Sequence, residues 1–149
     1  MRVFRRILYA TDFSSASRPA LTQAISLARE NRAALRVVHA LPPLVLGDGS
    51  AFVPPGTYET IDRRARQHAQ KQLTALVGRA RKAGARATSL LLVGTPQEQV
   101  PRAARRMRAD LIVIGTHGRT GMSKVLLGSV AERLVRLAPC PVLTVRGRR

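Results

Sequence analysis

Leu111-Ile-Val-Ile-Gly115-Thr-His-Gly118-Arg-Thr-Gly121-Met-Ser-Lys-Val-Leu-Leu-Gly128-Ser129-Val-Ala-Glu-Arg-Leu134 is the stretch whose reading decides the fold. Its first four residues are apolar, three of them β-branched, and Asp110 and Gly115 bound them. That pattern predicts a short buried strand. The strand runs into a loop with glycine at 115, 118 and 121, and Gly128-Ser129 then opens a helical pattern with Val130, Leu134 and Leu137 on one side. A strand, a glycine loop and a helix start together suit phosphate. Glycine lets backbone N–H groups approach an anion, and the first N–H groups of a helix have no partner of their own. The loop is not a Walker loop, because Lys124 follows Ser123 with no glycine before it. Nor is it the dinucleotide fingerprint, whose glycines run G-x-G-x-x-G.

Working outward, the rest of the chain repeats strand and helix in alternation. Arg5–Ala10 reads as a first strand ending at Thr11-Asp12, and Ser14, Ser15 and Ser17 are candidate N-caps for a helix with Pro19 in its first turn. Leu21, Ala24, Ile25 and Ala28 give that helix its apolar stripe, which runs to about Asn31. Leu35–Ala40 reads as the second strand. Pro42–Gly56 holds four prolines and three glycines without any period, which predicts a loop. A long helix follows from about Thr57 to Ala83, with Ile61, Ala65, Ala69, Leu73, Leu76, Val77 and Ala80 expected inside and Gly84 at its C-terminal cap. Ala87–Val93 is the third strand. Thr95 is placed to cap the next helix, which turns Val100, Ala103, Ala104 and Met107 inward. After the glycine loop, a helix over Ser129–Leu137 and a strand over Pro141–Arg146 complete the chain.

Strand and helix alternating in this way predict an α/β fold: one doubly wound, mostly parallel five-stranded sheet with helices on both faces. At 149 residues the chain reads as a single domain, 1–149, able to bury roughly two-thirds of its unfolded surface. In such sheets ligands bind beyond the carboxyl ends of the strands, where the strand order reverses. If strands one and four are neighbours there, Asp12 and the glycine loop face one crevice.

Composition narrows the function further. Tryptophan is absent and aromatics make up 3% of the chain, so the core must come from Val, Leu, Ile and Ala. The one cysteine, Cys140, excludes an internal disulfide and fits a reducing compartment. The first apolar run, Ile7–Ala10, is too short for a signal peptide, and no stretch approaches the ~20 residues of a membrane span. A soluble, cytoplasmic protein is expected. His39, His68 and His117 lack ligand spacing, so no metal cluster is expected from them. Cys140 lies between two prolines with no base named beside it, which predicts an inert thiol. The net charge of +18 is almost all arginine and predicts non-specific polyanion binding at low salt. The arginines are scattered, however, and no aromatics interleave with them to stack bases.

Gly115, Gly118, Gly128 and Ser129 form G-x-x-G, nine residues, then G-S. That spacing resembles the ATP-binding branch of the universal stress protein family. The likeness extends to Arg6-Ile-Leu-Tyr-Ala-Thr-Asp-Phe-Ser14, Val37-Val-His-Ala40, Val93-Gly-Thr-Pro96 and Ala138-Pro-Cys-Pro-Val-Leu-Thr-Val145, and so covers nearly the whole chain apart from the Pro42–Gly56 loop. The resemblance implies a Rossmann-like fold and a site for ATP with Mg²⁺. In that site Gly118, Gly128, Ser129 and the N–H of Val130 would hold the phosphates. Asp12 and Gly115 would lie against the ribose and any bound metal, and the backbone of Ala40 against the adenine edge. Arg119 and Lys124 share the loop and are candidates for phosphate contact. The resemblance also implies a homodimer joined through the Pro141–Arg146 strands. The expected role is that of a nucleotide-dependent regulator of stress response or signalling. A slow or partner-stimulated ATPase and a polyanion or nucleic-acid binder are the alternatives.

Overall fold

A computed structural model describes residues 3–45, 47–117 and 127–147. The expected alternation is present as β1 (Arg6–Ala10), α1 (Arg18–Asn31), β2 (Ala34–Leu41), α2 (Thr57–Lys82), β3 (Arg86–Val93), α3 (Pro96–Arg106), β4 (Leu111–Gly115), α4 (Ser129–Leu137) and β5 (Val142–Val145). A short 3-10 turn at Ser15–Ser17 leads into α1. The sheet order is β3-β2-β1-β4-β5, and every pairing is parallel. The order reverses between β1 and β4, the two strands whose loops carry Asp12 and Gly115.

Parallel strands covered on both faces read as continuous apolar runs, and the two central strands do so. Ile7, Tyr9, Leu111 and Val113 turn to the face covered by α1 and α2, against Leu21, Ala24, Leu73 and Val77. Leu8, Ala10, Ile112 and Ile114 turn to the other face, against Val100 and Ala104 of α3 and Leu134 of α4. At the amino end of the sheet, the Asp110 carboxylate accepts the N–H groups of Arg5 (2.9 Å) and Arg6 (3.0 Å), which ties the entry of β4 to that of β1.

Several local expectations are corrected. Ser14, Ser17 and Thr95 stand at N-cap positions, but none makes a side-chain cap hydrogen bond. Ser17 instead turns its hydroxyl into the β1 loop, donating to the Ser14 carbonyl at 2.8 Å. The apolar stripe of α2 is buried only from Ala69 onward, while Ile61 is 37% exposed and Ala65 half-buried. Length explains this. A helix of 26 residues spans about 39 Å, and an eight-residue strand only about 26 Å, so the first turns of α2 overhang the sheet. Leu137, expected on the inner side of α4, is 43% exposed in its last turn. The cap of α2 is Ala83, with Gly84 following it at φ 92°.

Candidate functional site

Beyond the carboxyl ends of β1, β2 and β4 lies a cavity of about 250 Å³. The loop after β1 forms one wall through a compact set of hydrogen bonds. The buried Tyr9 hydroxyl donates to the Ser17 carbonyl at 2.9 Å. The single hydroxyl proton of Ser17 goes to Ser14, so Thr11 must be the donor in its 3.1 Å contact with Ser17 Oγ. Thr11 Oγ1 in turn accepts the Phe13 N–H at 2.9 Å, and Asp12 Oδ1 accepts the Ser14 N–H at 2.9 Å. Between those two bonds Phe13 sits at φ 65°, a left-handed backbone that bulky residues rarely adopt. Its ring stacks on His39 at a centroid distance of 4.1 Å. His39 Nδ1 lies 2.8 Å from the Thr11 carbonyl, which can only accept, so the ring carries its proton on Nδ1.

The wall contributed by β2 is peptide rather than side chain. In a parallel strand, the N–H and C=O of one residue point to the same neighbouring strand. Thr11 N–H donates to the Val38 carbonyl, and Gly94 N–H to the Leu41 carbonyl, so Val38 faces β1 and Leu41 faces β3. Ala40 therefore turns its peptide edge to the β1 side. There the strand pairing has already ended, at Ala10 opposite Val38. That edge looks into the cavity, and Ala40 lines it.

The third wall is the start of α4. Gly128 is its N-cap, with no side-chain cap, and the first bond of the helix runs from Glu132 N–H to the Gly128 carbonyl. The N–H groups of Ser129, Val130 and Ala131 precede that bond, and all three residues line the cavity. Glycine is required at 128 by crowding. Its N–H donates to the Thr116 carbonyl at 2.6 Å, and a Cβ would stand 2.9 Å from that same oxygen. Gly115 likewise lies close under the β1 loop, where a Cβ would come 3.3 Å from the Ala16 carbonyl.

Asp12, Ala40, Gly115, Gly128, Ser129 and Val130 thus line one cavity. Gly118, Arg119, Gly121 and Lys124 lie outside the described residues. Among the described residues no group of three metal-ligating side chains occurs, and Asp12 is the one carboxylate lining the cavity. Five further polar residues line it without having been expected there: Thr11, Ser17, His39, Thr116 and His117. From the sequence His117 reads only as a histidine without metal-ligand spacing. Its place immediately after β4 was the signal available, since residues there must stand at the mouth of the crevice. Cys140 behaves as expected. It is half-buried against the α3–α4 face, where burial first and the Asp110 charge second push its thiol pKa up, away from the reactive thiolate.

The sequence profile of the Universal stress protein family matches residues 4–146. The chain belongs to that family. A universal stress protein of Methanocaldococcus jannaschii is 34% identical to it over 147 residues, which cover 97% of this chain and 83% of the relative. Among solved structures, universal stress protein UspA from Lactobacillus plantarum superposes with a TM-score of 0.81 at 24% identity, covering 98% of this chain and 99% of that one. At that identity it speaks for the fold alone. A universal stress protein from Archaeoglobus fulgidus, solved in complex with dAMP, is 27% identical with a TM-score of 0.68, covering 97% of this chain and 99% of that one. Within the universal stress protein fold, the crevice described above is the place where backbone donors, a peptide edge and a carboxylate converge.

Proposed function

We propose that the crevice binds an adenine nucleotide, ATP with Mg²⁺, and that nucleotide occupancy makes this chain a regulator in stress response or signalling. The observation that carries this reading is the convergence of the α4 amino terminus, the Ala40 peptide edge and Asp12 on one cavity. Each part suits a different part of the ligand. The open N–H groups of Ser129, Val130 and Ala131 suit phosphate oxygens, helped by the positive end of the helix dipole. The Ala40 edge offers one donor and one acceptor to a purine. Asp12 suits ribose hydroxyls. A lone carboxylate also fits Mg²⁺, which is commonly held by one or two carboxylates together with substrate phosphates. The dAMP-bound relative supports an adenine ligand.

The same proposal places the protein in the cytoplasm as a homodimer. No helix among the described residues is long and apolar enough to cross a membrane. β5 is an edge strand whose bonds to β4 include those accepted by Pro141 and Val145. By alternation, Val142 and Thr144 point their peptide groups outward. An apolar edge of this kind suits a second copy.

The test is a calorimetric titration with Mg·ATP, and in parallel with AMP, in about 0.3 M salt to screen the arginines. It compares the wild-type chain with Ser129→Asp. A carboxylate in the first turn of a helix favours the fold while occupying the place of the phosphate. Stoichiometric binding that the variant loses supports the proposal. Equal binding by both, or binding by neither, overturns it.

A further inference from the structure

At the opposite end of the sheet, α1 and α2 finish beside the entries of β2 and β3. Arg29 lies in the last turn of α1, and Arg32 follows as its left-handed cap at φ 51°. Arg86 opens β3, and its Nη2 donates to the Arg32 carbonyl at 2.6 Å. The Arg29 side chain passes over Gly84, where a Cβ would stand 3.6 Å from its Nε. These three exposed arginines, with Ala28, Ala33 and Gly84, line an open cleft of about 390 Å³.

Among the described residues, no ion pair answers its charge. The carboxyl ends of α1 and α2 each present about half a negative charge. Arg79, Arg81 and Lys82 in the last turn of α2 already answer its share. The ion pairs among the described residues, Asp62 with Arg66 and Glu132 with Arg136, involve none of the three cleft arginines. Asp110, at the same end, accepts main-chain N–H groups of Arg5 and Arg6. Glu30 is adjacent to Arg29 on the helix, and neighbours at i, i+1 do not face each other. Three arginines lining one open cleft suit the oxygens of phosphate, which planar guanidinium groups can grip in pairs.

We propose that this cleft is a second anion site, separate from the crevice, for a compact phosphate-bearing ligand. Compactness follows from the lining: six residues, none of them aromatic, give a nucleic-acid base nothing to stack on.

The probe is tripolyphosphate, titrated calorimetrically in about 0.3 M salt into the full chain carrying Ser129→Asp, which keeps it out of the crevice. The triple variant Arg29→Gln/Arg32→Gln/Arg86→Gln is compared with Arg63→Gln/Arg64→Gln/Arg102→Gln, which removes the same charge from exposed helix positions. The cleft variant should bind at least about tenfold more weakly, and the charge-matched variant should change by less than about threefold. Arg29→Gln alone, which disturbs no described backbone hydrogen bond, should lose a measurable share and keeps the test informative if the triple variant unfolds. Equal losses in both triple variants overturn the proposal in favour of a diffuse field. So does dependence on the cleft seen for a short oligodeoxynucleotide but not for tripolyphosphate.

Discussion

The two ends of the sheet draw on the same helices in opposite senses. At the carboxyl end of the strands α4 begins, and its open N–H groups are brought close to the β1 and β4 loops because Gly128 and Gly115 lack side chains. At the amino end the helices finish, their last turns carry Arg29, Arg79, Arg81, Arg105, Arg106 and Arg136, and the open cleft there is lined by three arginines. One end attracts anions through fixed backbone dipoles, the other through mobile formal charges. The first should therefore be shape-selective and salt-tolerant, the second broader and salt-sensitive.

Substitutions can break this comparison or sharpen it. The largest expected effect removes the common floor. Ile112 is fully buried in β4, so Ile112→Ala should cost about 2–5 kcal/mol in a urea titration. One transition for the whole sheet is expected, and two separate transitions would mean that the ends are not mechanically joined. Next comes Gly128→Ala. Its new methyl must push on the Thr116 carbonyl, 2.9 Å away, which should cost about 1–3 kcal/mol and weaken nucleotide binding while sparing the arginine cleft. Ser129→Asp should leave the urea midpoint unchanged or slightly raised, yet reduce nucleotide affinity at least about tenfold.

Tyr9→Phe is the smallest, costing about 1 kcal/mol through the lost hydrogen bond to Ser17. It also has a pH signature. Burial is the main cause raising the Tyr9 pKa above its ordinary 10.0, and the nearby Asp12 charge adds to it. The fold thus favours the neutral phenol. That contribution is complete below pH 10 and disappears as the pH climbs through the raised value, so the alkaline fall in stability should be shallower in the Phe variant.

The crevice was legible because its parts are local. A buried strand, spaced glycines and a helix start can be read from a few consecutive letters, whereas the adjacency of β1 and β4 is a condition that only the sheet order meets. The wall made by Tyr9, Thr11, Ser17, Phe13 and His39 was not legible. It depends on a left-handed turn at a phenylalanine and on hydroxyls that leave their capping positions, and no propensity announces either. The overhang of α2 was missed for a different reason. The helical stripe from Ile61 to Ala80 is continuous in sequence, but the strands that could cover it are shorter than the helix. The arginine cleft was hidden by abundance, since arginines scattered along the chain meet only where the ends of two helices and a strand converge.

The sheet order also bears on what would follow a cut in the Pro42–Gly56 loop. The amino-terminal piece would carry β1 and β2, and the other piece β3, β4 and β5. In the intact sheet β2 pairs with β3 and β1 with β4, so the first piece is held between strands of the second on both sides. Neither fragment keeps a complete sheet, and the crevice takes walls from both. Co-expressed halves split at this loop should regain structure only by reassembling, which suits the fold to use as a complementation reporter.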